Sequence, residues 1–272
     1  MALVNWLVPT NFQALVGVAY DRLFHGPFRN NLALKDRHKG KRCFVVGNGP
    51  SLASVDLSIL RNQITIGANS IYKHRDAEQL DLKYLCIGDP HFMVDRAENV
   101  TWHKILCEKL PRAEFVLHHD GAPLIERHAL YSGRKIFFVR TGVRSSNTLF
   151  ANIDFTRALN LGATTGTTLA IPLALYMGCA EIILLGFDAN WLDDYESSYH
   201  FYDAHEQYPE FDSVSSDGRG HSYLSELEQV ALEFRSHHLL QSIALKRGVR
   251  LLNATLGGRL DMHPRVDLQE YT

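Results

Sequence analysis

Arg42-Cys43-Phe44-Val45-Val46-Gly47-Asn48-Gly49-Pro50-Ser51-Leu52 decides the fold, because an apolar run ends in two glycines and then turns into the start of a helix. A strand feeding such a turn aims backbone N–H groups and a helix N-terminus at one place, which suits a phosphate. Gly47 and Gly49 can adopt positive φ and admit a ligand to the backbone. Pro50 suits a first helical turn, and Ser51 can accept from an otherwise unpaired N–H. The stretch departs from two familiar phosphate loops: Leu52 stands at the third glycine of the dinucleotide fingerprint, and no Gly-Lys-Ser/Thr follows as in a Walker loop. A plain tight turn is the alternative reading of Gly-Asn-Gly-Pro.

Downstream, Leu52 to Leu60 reads as a short helix, and Ile64 to Ala68 and Lys83 to Gly88 read as a second and third strand. Each strand closes on small or polar residues: Gly47-Asn48-Gly49, Asn69-Ser70 and Asp89-Pro90-His91. In an open parallel sheet these C-terminal ends share one rim, where ligands bind. Further strands are expected at Phe115-Val116-Leu117 and Lys135 to Val139. The second half repeats the plan. Gly162 to Thr168 leads into an apolar helix from Leu169 to Met177 that stops at Gly178, and the strand Glu181 to Gly186 ends in Phe187-Asp188 on the same rim.

From about Asn190 to Gly220 the chain mixes Tyr195, Tyr199, Tyr202 and Tyr208 with Asp, Ser and Gly, a length typical of a lid or binding loop. Leu224 to Lys246 is a helix with leucines, valine and phenylalanine on one face and Glu226, Glu228 and Glu233 on the other. Val249 to Asn253 is the last strand. The alternation predicts an α/β, Rossmann-like fold: a mostly parallel sheet with helices on both faces and a long lid-like loop.

The 272 residues, 46% of them hydrophobic, suffice for a substantial core. A net charge of −2, with no Lys/Arg cluster interleaved with aromatics, argues against a nucleic-acid partner. Cys43, Cys86, Cys107 and Cys179 lie far apart without metal spacing, as free thiols in a reducing compartment do, and the cytoplasm is the expected location. Among 14 histidines, His118-His119 and His237-His238 are adjacent pairs whose side chains should diverge, so no metal site is expected from them. The acidic pair Asp193-Asp194 has no strand before it and is not expected to hold a metal either. Asn11 to Phe24 reads as an amphipathic helix, interrupted by polar residues well before the roughly twenty apolar residues of a membrane span. It could pack on the domain, pair with a second subunit in a homo-oligomer, or lie on a membrane surface as a peripheral contact. Packing is the expectation, because its polar face carries few cations.

Several residues could carry chemistry. Hydroxyls and amides from Thr164 to Thr168 could bind a sugar carboxylate or phosphate, or simply cap the helix that follows. Asp188 could accept from sugar hydroxyls or cap the next turn. Tyr199, His200, Phe201 and Tyr202 could offer phenol donors and stacking rings, or pin the loop as an apolar patch. His221, between glycines and the last helix, could deprotonate an acceptor hydroxyl, although a lone loop histidine is more often a helix-start residue.

With these segments in hand, the order of motifs resembles that of the bacterial CMP-sialic acid-dependent sialyltransferases and of related MptE-like proteins, which include flagellin-glycosylating nonulosonate transferases. The resemblance runs from about Arg42 to Asn253. Gly47-Asn48-Gly49-Pro50-Ser51-Leu52 is similar to the nucleotide loop, Asn69 to an asparagine after the second strand, and Asp89-Pro90 to a donor-contacting Asn-Pro. Gly178-Cys179-Ala180-Glu181-Ile182 through Asp188 is similar to a Gly-x-x-Glu-Ile strand ending Gly-x-Asp. Ser197-Ser198-Tyr199 resembles a Ser-Ser-Tyr whose tyrosine holds the departing phosphate, and Gly220-His221-Ser222 a Gly-His-Ser that supplies the general base. Asp89 in place of Asn, the looser Thr165-Gly166-Thr167, and a second tyrosine without a clear match are departures.

The resemblance implies a glycosyltransferase that moves a nonulosonic or sialic-type sugar from a CMP donor to a glycan or lipid-linked acceptor with inversion. It implies His221 as base, Tyr199 with Tyr202 at the leaving phosphate, and Gly47, Asn48, Gly49, Ser51, Asn69, Asp89 and Asp188 around the donor. Thr165, Gly166 and Thr167 would take the sugar carboxylate, and no cofactor or metal is implied. On this reading residues 1–41 are an N-terminal helix and connector, 42–272 a single nucleotide-sugar-binding domain, and 190–222 a mobile active-site loop. Two other classes compete. MptE-like pterin diphosphokinases, which use ATP and Mg²⁺, share the glycine loop, yet this chain has no His-Ala-His-Gly-Asp-Asn run and no Asp-Leu-Asp-Gly. A non-catalytic nucleotide-binding protein would share the rim and use His221 only to start a helix.

Overall fold

The strand segments become one parallel sheet in the computed structural model, which describes residues 28–141, 151–161, 166–193, 200–202 and 223–272. Its strands are β1 (Arg42–Val46), β2 (Thr65–Ala68), β3 (Tyr84–Ile87), β4 (Glu114–His118), β5 (Ile136–Val139), β6 (Glu181–Leu185) and β7 (Arg250–Asn253). They lie in the order β5-β4-β3-β2-β1-β6-β7, every neighbouring pair parallel. The α-helices are α1 (Ala77–Leu80), α2 (Ala97–Lys109), α3 (Ala122–Arg127), α4 (Gly166–Tyr176) and α5 (Tyr223–Lys246).

Strands buried on both faces need apolar residues at every position, and the core divides accordingly. Cys43, Val45, Ile182 and Leu184 join α4 and α5 in one cluster, while Phe44, Val46, Ile183 and Leu185 join α2 and α3 in the other. This is the α/β, Rossmann-like sheet with helices on both faces that the sequence predicts. At the N-terminal edge, Glu181 receives Arg42 from β1 and Arg250 from β7, tying three adjacent strands together away from the rim.

The chain differs from the sequence reading after β1. Instead of one helix it makes two 3₁₀ turns, Pro50–Ser54 and Leu57–Leu60, separated by Val55 and by Asp56, whose carboxylate caps the second turn through Ser58 N. The stretch read as a connector is also built into the fold. Leu34 is fully buried, and Asn31 Nδ2 donates to Phe138 O and Phe155 O, both at 2.7 Å. The backbone amides of Asp36, His38 and Gly40 then cap the end of α4 through Tyr176 O, Met177 O and Gly178 O.

All four cysteines are free, and three of them are buried. Among the described residues no helix is long and apolar enough to cross a membrane. The amphipathic stretch Asn11 to Phe24 and most of the 190–222 loop lie outside the described residues.

Candidate functional site

The strand order reverses direction between β1 and β6, since one half of the sheet grows outward from β1 and the other returns beside it. Loops leaving such a switch point diverge and leave a crevice at the strand C-termini. Here the crevice is a cavity of about 320 Å³. Asn48 and Gly49 enter it from β1, Asn69 from β2, Asp89 from β3, and Phe187, Asp188 and Trp191 from the chain after β6.

The glycine loop reaches this cavity in a way the sequence reading did not anticipate. Neither Gly47 nor Gly49 has positive φ; Gly49 sits at φ −64° and ψ 156°. Their N–H groups are spent on β6, with Gly47 N donating to Leu185 O at 2.8 Å and Gly49 N to Gly186 O at 2.9 Å. The pair is glycine because a Cβ on Gly47 would stand 2.5 Å from Gly186 O, and one on Gly49 would stand 1.8 Å from Asp188 Oδ2. Ser51 donates twice to Asp188, from its N at 3.0 Å and its Oγ at 2.8 Å, so the serine gives where it was expected to accept. The expected amide cradle for a phosphate is therefore a close-packed seam between two loops. What the seam presents to the cavity is Asn48.

Asn48 Nδ2 donates to Ala68 O at 3.0 Å, which fixes the carboxamide and leaves Oδ1 buried with no hydrogen-bond partner. On the next strand Asn69 holds a left-handed backbone, φ 46°, a conformation asparagine adopts more readily than most residues. Its Oδ1 is likewise buried and unpartnered. Buried polar atoms are nearly always satisfied, so two idle acceptors on adjacent strands mark a place where something else supplies donors.

Asp188 is 6% exposed, and burial raises its carboxyl above the ordinary carboxylate range against the opposing pull of Ser51. Its backbone is clamped from behind by Arg259 N, which donates to its carbonyl at 2.6 Å. Asp89, by contrast, is 43% exposed and caps the turn Pro90–Met93 through His91 N at 2.9 Å. The expected Thr-rich cap lies partly inside a helix, since α4 already begins at Gly166 and includes Thr167.

The loop segment 200–202 sits against the rim, with Phe201 N donating to Asn48 O at 3.1 Å. His200 lines the cavity and stacks on Tyr202 at 4.9 Å and 12°. Burial holds the Tyr202 phenol neutral, pushed up to about 12, while its hydroxyl bonds Ser70. Tyr199, His221 and Thr165 lie outside the described residues.

Other cavity residues were not singled out as site candidates from the sequence. Glu233, expected on the solvent face of the last helix, is 6% exposed and lines the cavity with His237, one turn further along α5. His237 Nδ1 meets His263 Nε2 at 3.0 Å, and His263 Nδ1 meets Gln241 Oε1 at 2.8 Å. Burial lowers both imidazoles, to about 3 for His237 and about 4 for His263, so the pair is neutral. The i, i+4 spacing of Glu233 and His237 is a signal the sequence does carry, but helical periodicity alone assigns it to the wrong face. His118 and His119, expected to diverge, instead converge on Asp120, because β4 ends at His118 and a tight 3₁₀ turn follows.

Solved structures with related folds include the MAf glycosyltransferase from Magnetospirillum magneticum AMB-1, 13% identical with a TM-score of 0.53 over 86% of this chain. This chain spans 34% of that glycosyltransferase. The sialyltransferase CstII from Campylobacter jejuni, solved with the substrate analogue CMP-3FNeuAc, matches at 16% identity and a TM-score of 0.41, covering 78% of this chain and 80% of that one. No curated protein sequence matches. A family model described as 6-hydroxymethylpterin diphosphokinase MptE-like matches residues 23–194, which takes in the glycine loop, the asparagines at the strand ends and the Asp188 seam, and the chain belongs to the MptE-like family.

Proposed function

We propose that this protein is a glycosyltransferase that moves an acidic sugar of the nonulosonic or sialic type from a CMP-activated donor to a glycan or lipid-linked acceptor. The observation that carries this reading is the pair of buried, unpartnered carboxamide oxygens of Asn48 and Asn69 at the switch-point cavity. A nucleoside supplies the donors they lack, from an exocyclic amine or ribose hydroxyls. Phe92 and Trp191 on the cavity wall offer faces for a base or sugar. No lysine or arginine is among the described residues lining the cavity. That suits a monophosphate held by hydroxyl donors better than a triphosphate.

In the proposed reaction His221 takes the proton of the acceptor hydroxyl, whose oxygen bonds the anomeric carbon as the bond from that carbon to the phosphate oxygen breaks. CMP leaves with the electron pair, and the configuration inverts. Tyr199 and the neutral Tyr202 phenol would donate to the phosphate as its charge grows. Thr165, Gly166 and Thr167 would take the sugar carboxylate, and Asp89 the nucleotide. No metal or cofactor is needed for this displacement. The lid would be the 190–222 loop of a single domain spanning 42–272, acting in the cytoplasm, with the N-terminal helix packed on that domain.

The family description favours a second reading, diphosphate transfer from ATP with Mg²⁺ to a pterin alcohol. Thermal-shift measurement with CMP, CDP, UDP, GDP and ATP, each with and without Mg²⁺, separates the two. Stabilisation by CMP without metal is expected, and stabilisation by ATP only with Mg²⁺ would transfer the assignment to the kinase. His221→Ala is expected to abolish sugar transfer while CMP stabilisation persists. A protein with no turnover to lose would be a binding module.

A further inference from the structure

We propose that His118, His119 and Asp120 at the C-terminal end of β4 form a binding site for one divalent transition metal of the zinc class. One ligand atom from each residue lies within 4.8 Å of the others. The two oxygens of the Asp120 carboxylate face one ring each, Oδ2 at 3.5 Å from His118 Nδ1 and Oδ1 at 3.3 Å from His119 Nε2. These separations are long for hydrogen bonds, but donors each about 2.0–2.2 Å from a common tetrahedral Zn²⁺ stand roughly 3.3–3.5 Å apart. The rings are brought together by the chain itself, at 4.8 Å between centroids, because β4 stops at His118 and the next residues turn sharply.

The ordinary alternative is a pair of histidine–carboxylate ion pairs. At 3.5 and 3.3 Å both contacts are longer than the charge-assisted hydrogen bonds that such ion pairs form. His119 Nδ1, the second nitrogen of the same ring, is buried with no hydrogen-bond partner. The other contacts at His118 are loose, with Thr141 Oγ1 and Asp120 N each 3.4 Å from its ring nitrogens. Asp89 adds negative charge near His118, and Arg140 adds positive charge near His119. Two imidazoles and one carboxylate select zinc, cobalt or nickel over Mg²⁺ or Ca²⁺, which prefer all-oxygen shells. Three protein ligands leave a fourth position for water or a substrate oxygen. None of the three residues lines the switch-point cavity, so the site does not depend on the glycosyltransferase reading.

Titration of the chelator-stripped full chain with Co²⁺ tests this, read by the visible band of four-coordinate cobalt and by its displacement with Zn²⁺. One equivalent is expected to bind. His119→Gln and Asp120→Asn are expected to weaken binding by at least about tenfold. Both side chains are substantially exposed, 36% and 53%, so the variants should fold, and circular dichroism checks that they do. His128→Gln, whose imidazole bonds Asp95 at 2.8 Å elsewhere on the surface, should bind like the wild type. Absence of a stoichiometric cobalt band, a band unchanged in both variants, or equal binding of Mg²⁺ would overturn the proposal.

Discussion

A methyl group on Gly49 would fall 1.8 Å from the Asp188 carboxylate and 2.7 Å from Gly186 O, so the loop could keep its course only by parting from β6. Gly49→Ala should therefore cost about 1–3 kcal/mol, as overpacking of a close contact does, and should displace Asn48 from the cavity with it. Urea denaturation gives the first effect and the CMP thermal shift the second; a variant as stable as the wild type would mean the seam yields easily. The buried histidine pair makes a prediction about pH. With folded values near 3 for His237 and 4 for His263, the unfolded chain takes up protons below about pH 6.5 that the folded pair refuses, so stability falls as pH drops from there toward 4. Each histidine contributes up to about 1.4 kcal/mol per pH unit to that slope. The loss in unfolding free energy between about pH 7.5 and about pH 5 should be smaller in His263→Gln, and an unchanged loss would place the titration elsewhere.

Among the elements, the strands were legible because a parallel strand covered on both faces must be apolar throughout, and Cys43-Phe44-Val45-Val46 and Ile182-Ile183-Leu184-Leu185 have no other plausible home. Helix α2 was not legible, because polar side chains face inward. Asn99 Nδ2 donates to His91 O and Val94 O, and His103 meets Tyr131 Oη and Phe92 O, so neither carries an apolar signature. The candidate site divides in the same way. Asn48, Asn69 and Asp188 announce themselves at strand ends, whereas Glu233 and His237 become visible only once α5 is laid across the sheet. The segment before β1 was read as a connector because it is polar, but Asn31 uses that polarity to satisfy two carbonyls from distant parts of the chain. Asn31→Leu keeps the volume and strands both acceptors, for an expected loss of about 2–4 kcal/mol from two unmet bonds. A urea midpoint within error of the wild type would show that water reaches those carbonyls and the segment is only loosely attached.

For the molecule as a whole, the consequential fact is that two cores share one sheet. Alternate residues of β1 and β6 project into opposite clusters, so neither cluster can lose its strands without dismantling the other. Leu106 of α2 belongs to one cluster and Leu240 of α5 to the other, both 0–1% exposed. Truncating either to alanine removes buried methyl groups and leaves a cavity, for an expected cost of about 2–5 kcal/mol. Because the strands are common, Leu106→Ala and Leu240→Ala should each lower a single unfolding transition, with tryptophan fluorescence and far-ultraviolet circular dichroism tracing the same curve in both variants. The switch point gives this a functional side. β1 and β6 carry the two halves of the cavity wall, so a sheet that unfolds as one unit holds the Asn48 and Asp188 loops in fixed relation while the chain is folded. Two separated transitions in Leu240→Ala alone would show that β6, β7 and α5 form a unit of their own, and would place the cavity at a boundary able to open.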